Sequence, residues 1–308
     1  MALTDEHYWL LRTSKAEKQA DIIDSELLVK VQQIARGQAR ELAIVIDTFY
    51  SNYAKENGIS RQEAEKRIRA IDLSNYVDKA NDFRESPNIS EQALRRLDGQ
   101  YLRARMTRLE LLYAELEQIG YRAAEKEARS YTEYFARVSK ETTKIIAENT
   151  LLSSIINKDA LEAILRNKWS GANYSDRIWR NKDRMVQALQ DELTKGVIRG
   201  DNPKKIARSF RKIISSSISD SERLIRTEST NIMNESIRNR YQDAGFTKYQ
   251  FVAKIDERTS TICKHLNDEE FDFVDYQQGS NAPPMHPRCR SRIVPVDSEL
   301  NRFDKYLG

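Results

Sequence analysis

The sequence predicts a mainly α protein, with a long helical N-terminal body and a small α+β C-terminal domain. Three observations predict it. Ten glycines and six prolines among 308 residues are too few for the turns of a sheet-rich chain. Apolar residues in the first half recur at three- and four-residue steps, the period of a helix with one buried face. The last sixth is chemically different: both cysteines, two of the three histidines and four of the six prolines fall between Cys263 and Pro295. The length suits two domains better than one core. The expected division is a partner-binding helical body over 1–150, a basic helical region over 151–246 and a small α+β tail with a Cys/His cluster over 247–308.

The N-terminal body is read from its stripes. Leu27, Val31, Ile34, Leu42, Val45, Phe49 and Tyr53 mark a long amphipathic helix, interrupted by one polar position at Gln38 and stopping near Asn57-Gly58. Ser60 and Glu63 have capping-box spacing, so a shorter helix follows to about Ile71. Pro87 breaks the next segment. Ser90 can then cap a helix carrying Leu94, Leu97, Leu102, Leu109, Leu112, Leu116 and Ile119. Leu102, Leu109 and Leu116 are spaced like a coiled-coil seam. A solvated bundle with charged outer faces accounts for this better than a filament rod. The narrow stripe also offers a surface for a partner chain.

Charge is uneven. The chain carries 51 basic and 47 acidic residues, a net +4. From Arg166 to Lys212 there are thirteen Lys/Arg against five Asp/Glu. Trp169 and Trp179 bracket turn residues, so a loop reseats the chain before a helix starting near Ser175. Two tryptophans this close predict packing before base stacking. Gly200-Asp201-Asn202-Pro203 reads as a stop, an N-cap and a proline at the first helical position. The helix it opens buries Ile206, Ala207, Phe210 and Ile213. It turns Lys204, Lys205, Arg208, Arg211 and Lys212 outward, a face that can hold phosphates without reading bases.

The tail has strands. Tyr249–Ile255 is aromatic and β-branched. A short helix fits Thr261–Leu266, a second strand Glu270–Val274, and a last one Ser291–Val296 at a sheet edge because of Pro295. Residues 279–287 must be irregular, since three prolines remove donors there. Such a unit is small enough to need a staple. Cys263, His265, His286 and Cys289 form C-x-H, twenty intervening residues, then H-x-x-C. Thiolate and imidazole ligands suit tetrahedral zinc, a structural cofactor. Two buried thiols with satisfied histidines, or a disulfide, remain open alternatives.

Composition and motifs exclude several classes. No run approaches the length of a membrane span, and the start has no basic and apolar leader pattern. Phosphate-loop, dinucleotide, zincin and nucleophile-elbow motifs are absent. The best enzymatic alternative is a metal-dependent nuclease acting on DNA, with His286 as base and Asp256 or His265 as metal ligand.

Arg226-Thr227-Glu228 precedes Asp256-Glu257-Arg258-Thr259-Ser260-Thr261-Ile262-Cys263, then Leu266-Asn267-Asp268 and Phe271. Pro283-Pro284-Met285-His286-Pro287-Arg288-Cys289-Arg290-Ser291 closes the series. This order resembles the head-morphogenesis family (minor head protein, Mu F-like) of tailed bacteriophages, over about Thr150 to Val296. Trp169 to Trp179 is similar to that family too. Arg226, Thr227, Glu228, Asp256, Arg258 and Thr259 carry the motif. Many members have further cysteines where this chain has Ser260 and Ser291. The resemblance implies a non-enzymatic virion protein, inside the head near the portal, and in the host cytoplasm during assembly. It implies the portal protein and double-stranded phage DNA as partners, with scaffolding or major capsid protein as further candidates. It implies a role in head assembly and in DNA packaging or delivery.

Overall fold

A computed structural model describes residues 5–64, 108–148, 150, 152–199 and 201–296. The helices are α1 (Asp5–Glu56), α2 (Arg61–Ala64), α3 (Arg108–Ala147), α4 (Lys158–Arg166), α5 (Tyr174–Arg199), α6 (Pro203–Asp243) and α7 (Thr261–Leu266). The strands are β1 (Lys248–Val252), β2 (Glu270–Asp272) and β3 (Arg292–Val296), with a 3-10 turn at Phe273–Asp275. The protein is mainly α with a small α+β C-terminal region.

Most local expectations hold. α1 stops at Glu56, and Gly58 takes the left-handed conformation that ends it. The Ser60 hydroxyl accepts the Glu63 N–H. The rest of the helix expected to Ile71, the Ser90 cap and Leu94, Leu97 and Leu102 lie outside the described residues. Pro203 opens α6, and Asn202 Oδ1 caps it through the Lys205 N–H at 3.0 Å. α1 starts 22 residues before the predicted stripe, because Trp9, Ala16, Ala20 and Ile23 continue its buried face. α3 likewise runs on past Ile119, since Tyr131, Phe135, Val138 and Ile146 extend its stripe.

The described chain forms two compact units, each assembled from separated segments. This differs from the chain-order division at 150 and 246. Long helices contribute to both units, so a boundary in space is not a boundary in sequence.

One unit takes the described residues within 30–129 and 175–221. Leu42, Ile46 and Tyr50 of α1, Leu116 and Ile119 of α3, Leu189 and Leu193 of α5, and Ile206 and Phe210 of α6 form its core. Gln38, the polar break in the stripe, is buried there with Nε2 3.9 Å from Met185 Sδ. Gly120 lets α3 approach α5: a Cβ on it would sit 2.4 Å from Val186 Cγ2. Lys182 and Glu127 form a buried ion pair. Lys182 therefore leaves the exposed basic set. Trp179 packs on Tyr121, as the packing expectation required.

The other unit takes the described residues within 1–29, 130–174 and 222–308. Trp9 meets Tyr241 and Phe246 edge-on, and Tyr131 and Phe135 pack with Tyr174. Its sheet is antiparallel, ordered β2-β1-β3. Tyr249 stands opposite Phe271 on one side and Pro295 on the other. β3 is an edge strand, which is where a proline is tolerated.

Candidate metal centre and the charged cleft beside it

α6 positions the site. Arg226 Nη1 donates to Asp21 of α1 at 3.1 Å. Thr227 Oγ1 accepts the Arg288 N–H at 2.9 Å, and Glu228 accepts the Trp169 indole N–H at 3.3 Å. Each residue of the Arg-Thr-Glu motif thus holds a different segment. Further along the same face, Thr230 Oγ1 donates to the Cys289 carbonyl at 2.7 Å. Asn234 donates to the Ser291 carbonyl at 3.2 Å and accepts the Ile293 N–H at 3.1 Å. Positions 227, 230 and 234 are one turn apart. They satisfy the backbone of 288–293, which no strand pairs before β3. Arg288 takes a left-handed conformation in this run (φ 61°), anchored by Thr227. Thr230 and Asn234 escaped the sequence reading. Their only trace was a polar residue on the side of a helix that should have been apolar.

The acidic turn is closed by its own residues. Asp256 Oδ1 accepts the Arg258 N–H at 2.8 Å. Thr259 Oγ1 accepts the Asp256 N–H at 2.7 Å and donates to the Lys254 carbonyl at 2.6 Å. Arg290 grips both Asp256 carboxyl oxygens at 2.6 Å, and this fork holds the carboxyl well below the usual carboxylate range. Asp256 is therefore a turn anchor, and it lies outside the cluster of Cys263, His286 and Cys289.

The structure brings together three of the four expected ligands. Ser260 caps α7, its hydroxyl accepting the Cys263 N–H at 3.2 Å, and this points Cys263 inward. Cys263 and Cys289 are buried in a small cluster with Phe251 and Ala253, covered by Leu266, Phe271 and Met285. Cys263 Sγ lies 3.8 Å from Cys289 Sγ and 3.3 Å from His286 Nε2. All three ligand atoms fall within 4.8 Å of one another. The sulfurs are too far apart for a disulfide, and both cysteines are free. His265 is the exception: two residues from Cys263, it points to nearly the opposite side of the six-residue α7, so its ring is exposed and outside the group. The group contains no carboxylate.

Electrostatics favour ligation. The Cys263 thiol is pushed well below its ordinary range, first by the Cys289 thiol that donates to it, then by Ser260, Ser291 and His286. Cys289 moves upward because its proton is held against the Cys263 sulfur. A thiolate is the form that binds metal. His286 Nδ1 lies 2.9 Å from the Pro287 carbonyl. A carbonyl only accepts, so Nδ1 carries a proton, while Nε2 faces the sulfurs. This is the outer hydrogen bond that orients a metal-binding imidazole. The donor set fits zinc, or another thiophilic divalent ion, with two thiolates and one imidazole. Ser260 and Ser291 both lie beside the Cys263 sulfur.

A cleft of about 890 Å³ opens beside this group. Its walls are Glu17, Asp21 and Asp24 of α1, Glu222 and Arg226 of α6, and the loops carrying Lys254, Arg258, His286, Arg288 and Cys289. Lys254 pairs with Glu17 at 2.6 Å, and Arg226 with Asp21. Asp24 is buried, and its Oδ1 has no hydrogen-bond partner. Burial raises its carboxyl to about 7, against smaller opposing effects of Ser229 and Arg226.

The basic residues lie in the other unit. Lys204, Lys205, Arg208, Arg211 and Lys212 are all exposed on α6, while Ile206, Phe210 and Ile214 are buried. Lys205 is tied to Asp201 at 2.6 Å. Arg211 shares a groove with Arg36 and Arg40 of α1, two cations that the charge count around α6 did not include.

Residues 187–294 match the family model described as Phage Mu protein F like protein. No curated protein and no solved structure matches the chain significantly. The match shows the Mu F-like head-morphogenesis resemblance over the second half of α5, all of α6 and the tail to β3. Trp169 and Trp179 fall outside the matched residues, so that part of the expected resemblance is not carried by the match. The family suggests a virion-associated phage head morphogenesis protein. Among the described residues no helix is long and apolar enough to cross a membrane.

Proposed function

We propose that this Mu F-like chain is a non-enzymatic minor head protein that contacts packaged double-stranded DNA and the portal, and so supports head assembly and DNA packaging or delivery. The observation that carries the reading is the overlap of the matched residues with an exposed basic face. Lys204, Arg208, Arg211 and Lys212 project from α6 with no ion pair among the described residues, and Arg36 and Arg40 widen the patch. Arginine and lysine on one helical face neutralise phosphates without reading bases. Binding should therefore be sequence-independent and steeply salt-dependent. Reversing Lys204, Arg208, Arg211 and Lys212 to Glu should weaken every duplex by about tenfold or more and flatten the salt dependence. Fluorescence anisotropy on two unrelated duplexes across a salt series checks it. Unchanged affinity would remove the DNA assignment.

The portal contact is assigned to the N-terminal helices, where Leu11, Ile22 and Val29 are exposed. Scaffolding or major capsid protein is the alternative occupant of that face. Zinc serves as a structural cofactor of the tail at Cys263, His286 and Cys289, within a unit that also takes in the start of α1. A nuclease is the weaker reading, because its acid–base scheme needs Asp256 or His265 at the metal, and neither joins the three ligand atoms.

A further inference from the structure

We propose that a zinc ion at this centre is held by three protein ligands only, and that its fourth position takes a phosphate-type oxyanion from the adjacent cleft. The inference rests on the zinc reading above and goes beyond it, because the expected four-ligand site would have been closed.

Three observations lead there. The first is the count of ligands among the described residues. His265 is exposed and outside the group, so Cys263, His286 and Cys289 supply three donors to an ion that takes four. Ser260 and Ser291 flank Cys263, but a neutral hydroxyl is a poor zinc donor beside thiolate and imidazole. Ser260 Oγ already accepts the Cys263 N–H.

The second is access. His286 is half-buried, and it and Cys289 form part of the cleft wall, with Ser260 beside them. An ion bound between them stands at the edge of a space large enough for a small ligand.

The third is charge. Within the cleft, Lys254 is paired with Glu17, Arg226 with Asp21 and Glu222, and Arg290 with Asp256. Arg258 and Arg288 line the same cleft and are exposed, with no ion pair among the described residues. They flank the ligands in sequence, Arg258 two residues before Ser260 and Arg288 next to Cys289. Asp24 is the one acid without an ion-pair partner there, and it is buried. Two thiolates cancel the charge of a divalent ion, so the metal does not itself repel or demand an anion. The two guanidiniums supply the attraction, and their planar forks suit a tetrahedral oxyanion.

Cobalt substitution tests this on the full chain, since cobalt(II) reports its ligands through its spectrum. The expected result is one cobalt per chain, with a thiolate-to-metal charge-transfer band. Titrating inorganic phosphate should then shift the visible ligand-field bands saturably. Arg258→Ala with Arg288→Ala should weaken that response about tenfold while leaving cobalt stoichiometry unchanged. His265→Ala should change neither metal content nor response. Ser260→Cys should add a third thiolate, strengthen the charge-transfer band and abolish the phosphate shift. Acetate separates the oxyanion class: an equal response to acetate, insensitive to both arginines, would overturn the phosphate assignment. Bound cobalt with bands that phosphate never moves would overturn the open position itself. Protein that takes up no zinc or cobalt at all would instead fail the underlying metal reading.

Discussion

Asp24 is a carboxyl whose burial works against the fold. Its oxygen Oδ1 lacks a partner, and burial raises its pKa from near 4 to about 7. An acid raised in the folded state carries no penalty below its unfolded pKa. The penalty grows as pH rises toward 7 and is constant above. The upper bound is about 4 kcal/mol for a three-unit shift. Asp24→Asn should therefore stabilise the protein by about 1–3 kcal/mol at pH 8 and by almost nothing near pH 4. Urea unfolding at the two pH values measures this, and equal midpoints for parent and variant at pH 8 would count against it. Nothing in the sequence separated Asp24 from Asp21, three residues earlier and paired with Arg226. His265 and His286 were equally alike on paper. Their fates differ because His286 follows two prolines into a loop wrapped against α6, while His265 rides the outer side of α7.

α6 shows what an element's sequence reveals and what it hides. Its start, its cap and its two faces near Pro203 were all legible, since they depend on neighbours within a turn. Its polar face at Thr227, Thr230 and Asn234 was not, because these residues answer backbone groups some sixty positions away. α3 hides a similar demand at Gly120. Helix propensity alone says that Gly120→Ala stabilises by about 1 kcal/mol. The new Cβ would lie 2.4 Å from Val186 Cγ2, on a buried β-branched side chain with little room to turn. Overpacking should win, with a net loss of about 1–3 kcal/mol. Thermal unfolding decides it, and a raised Tm would mean that the helices part at little cost.

For the whole molecule, the two units are each built from separated stretches, so cutting the chain at 150 would not isolate a body from a tail. Arg292 of β3 bonds Thr13 and Glu17, and Lys254 bonds Glu17. The portal assignment is therefore better tested by surface change than by truncation. Leu11, Ile22 and Val29 are separated by eleven and seven residues, spacings that return a helix to nearly the same direction. They form an exposed apolar line on α1. Replacing all three by Ser should abolish copurification with coexpressed portal protein while shifting stability by no more than about 0.5 kcal/mol per site. Retained association would move the contact elsewhere.

The fold class, the helical stripes, the Pro203 start and the edge position of β3 were determined by the sequence alone. Each rests on local physics: side-chain period, orphan backbone groups at helix ends, and a proline without a donor. Tertiary structure decided which segments share a unit. It took Lys182 into a buried pair with Glu127, kept three of four candidate ligands, and gathered the family-motif segments around one cleft. Those outcomes depend on distances between residues up to some 280 positions apart in the chain, as between Thr13 and Arg292. No local preference encodes such distances; they are set by how the long helices bury their stripes.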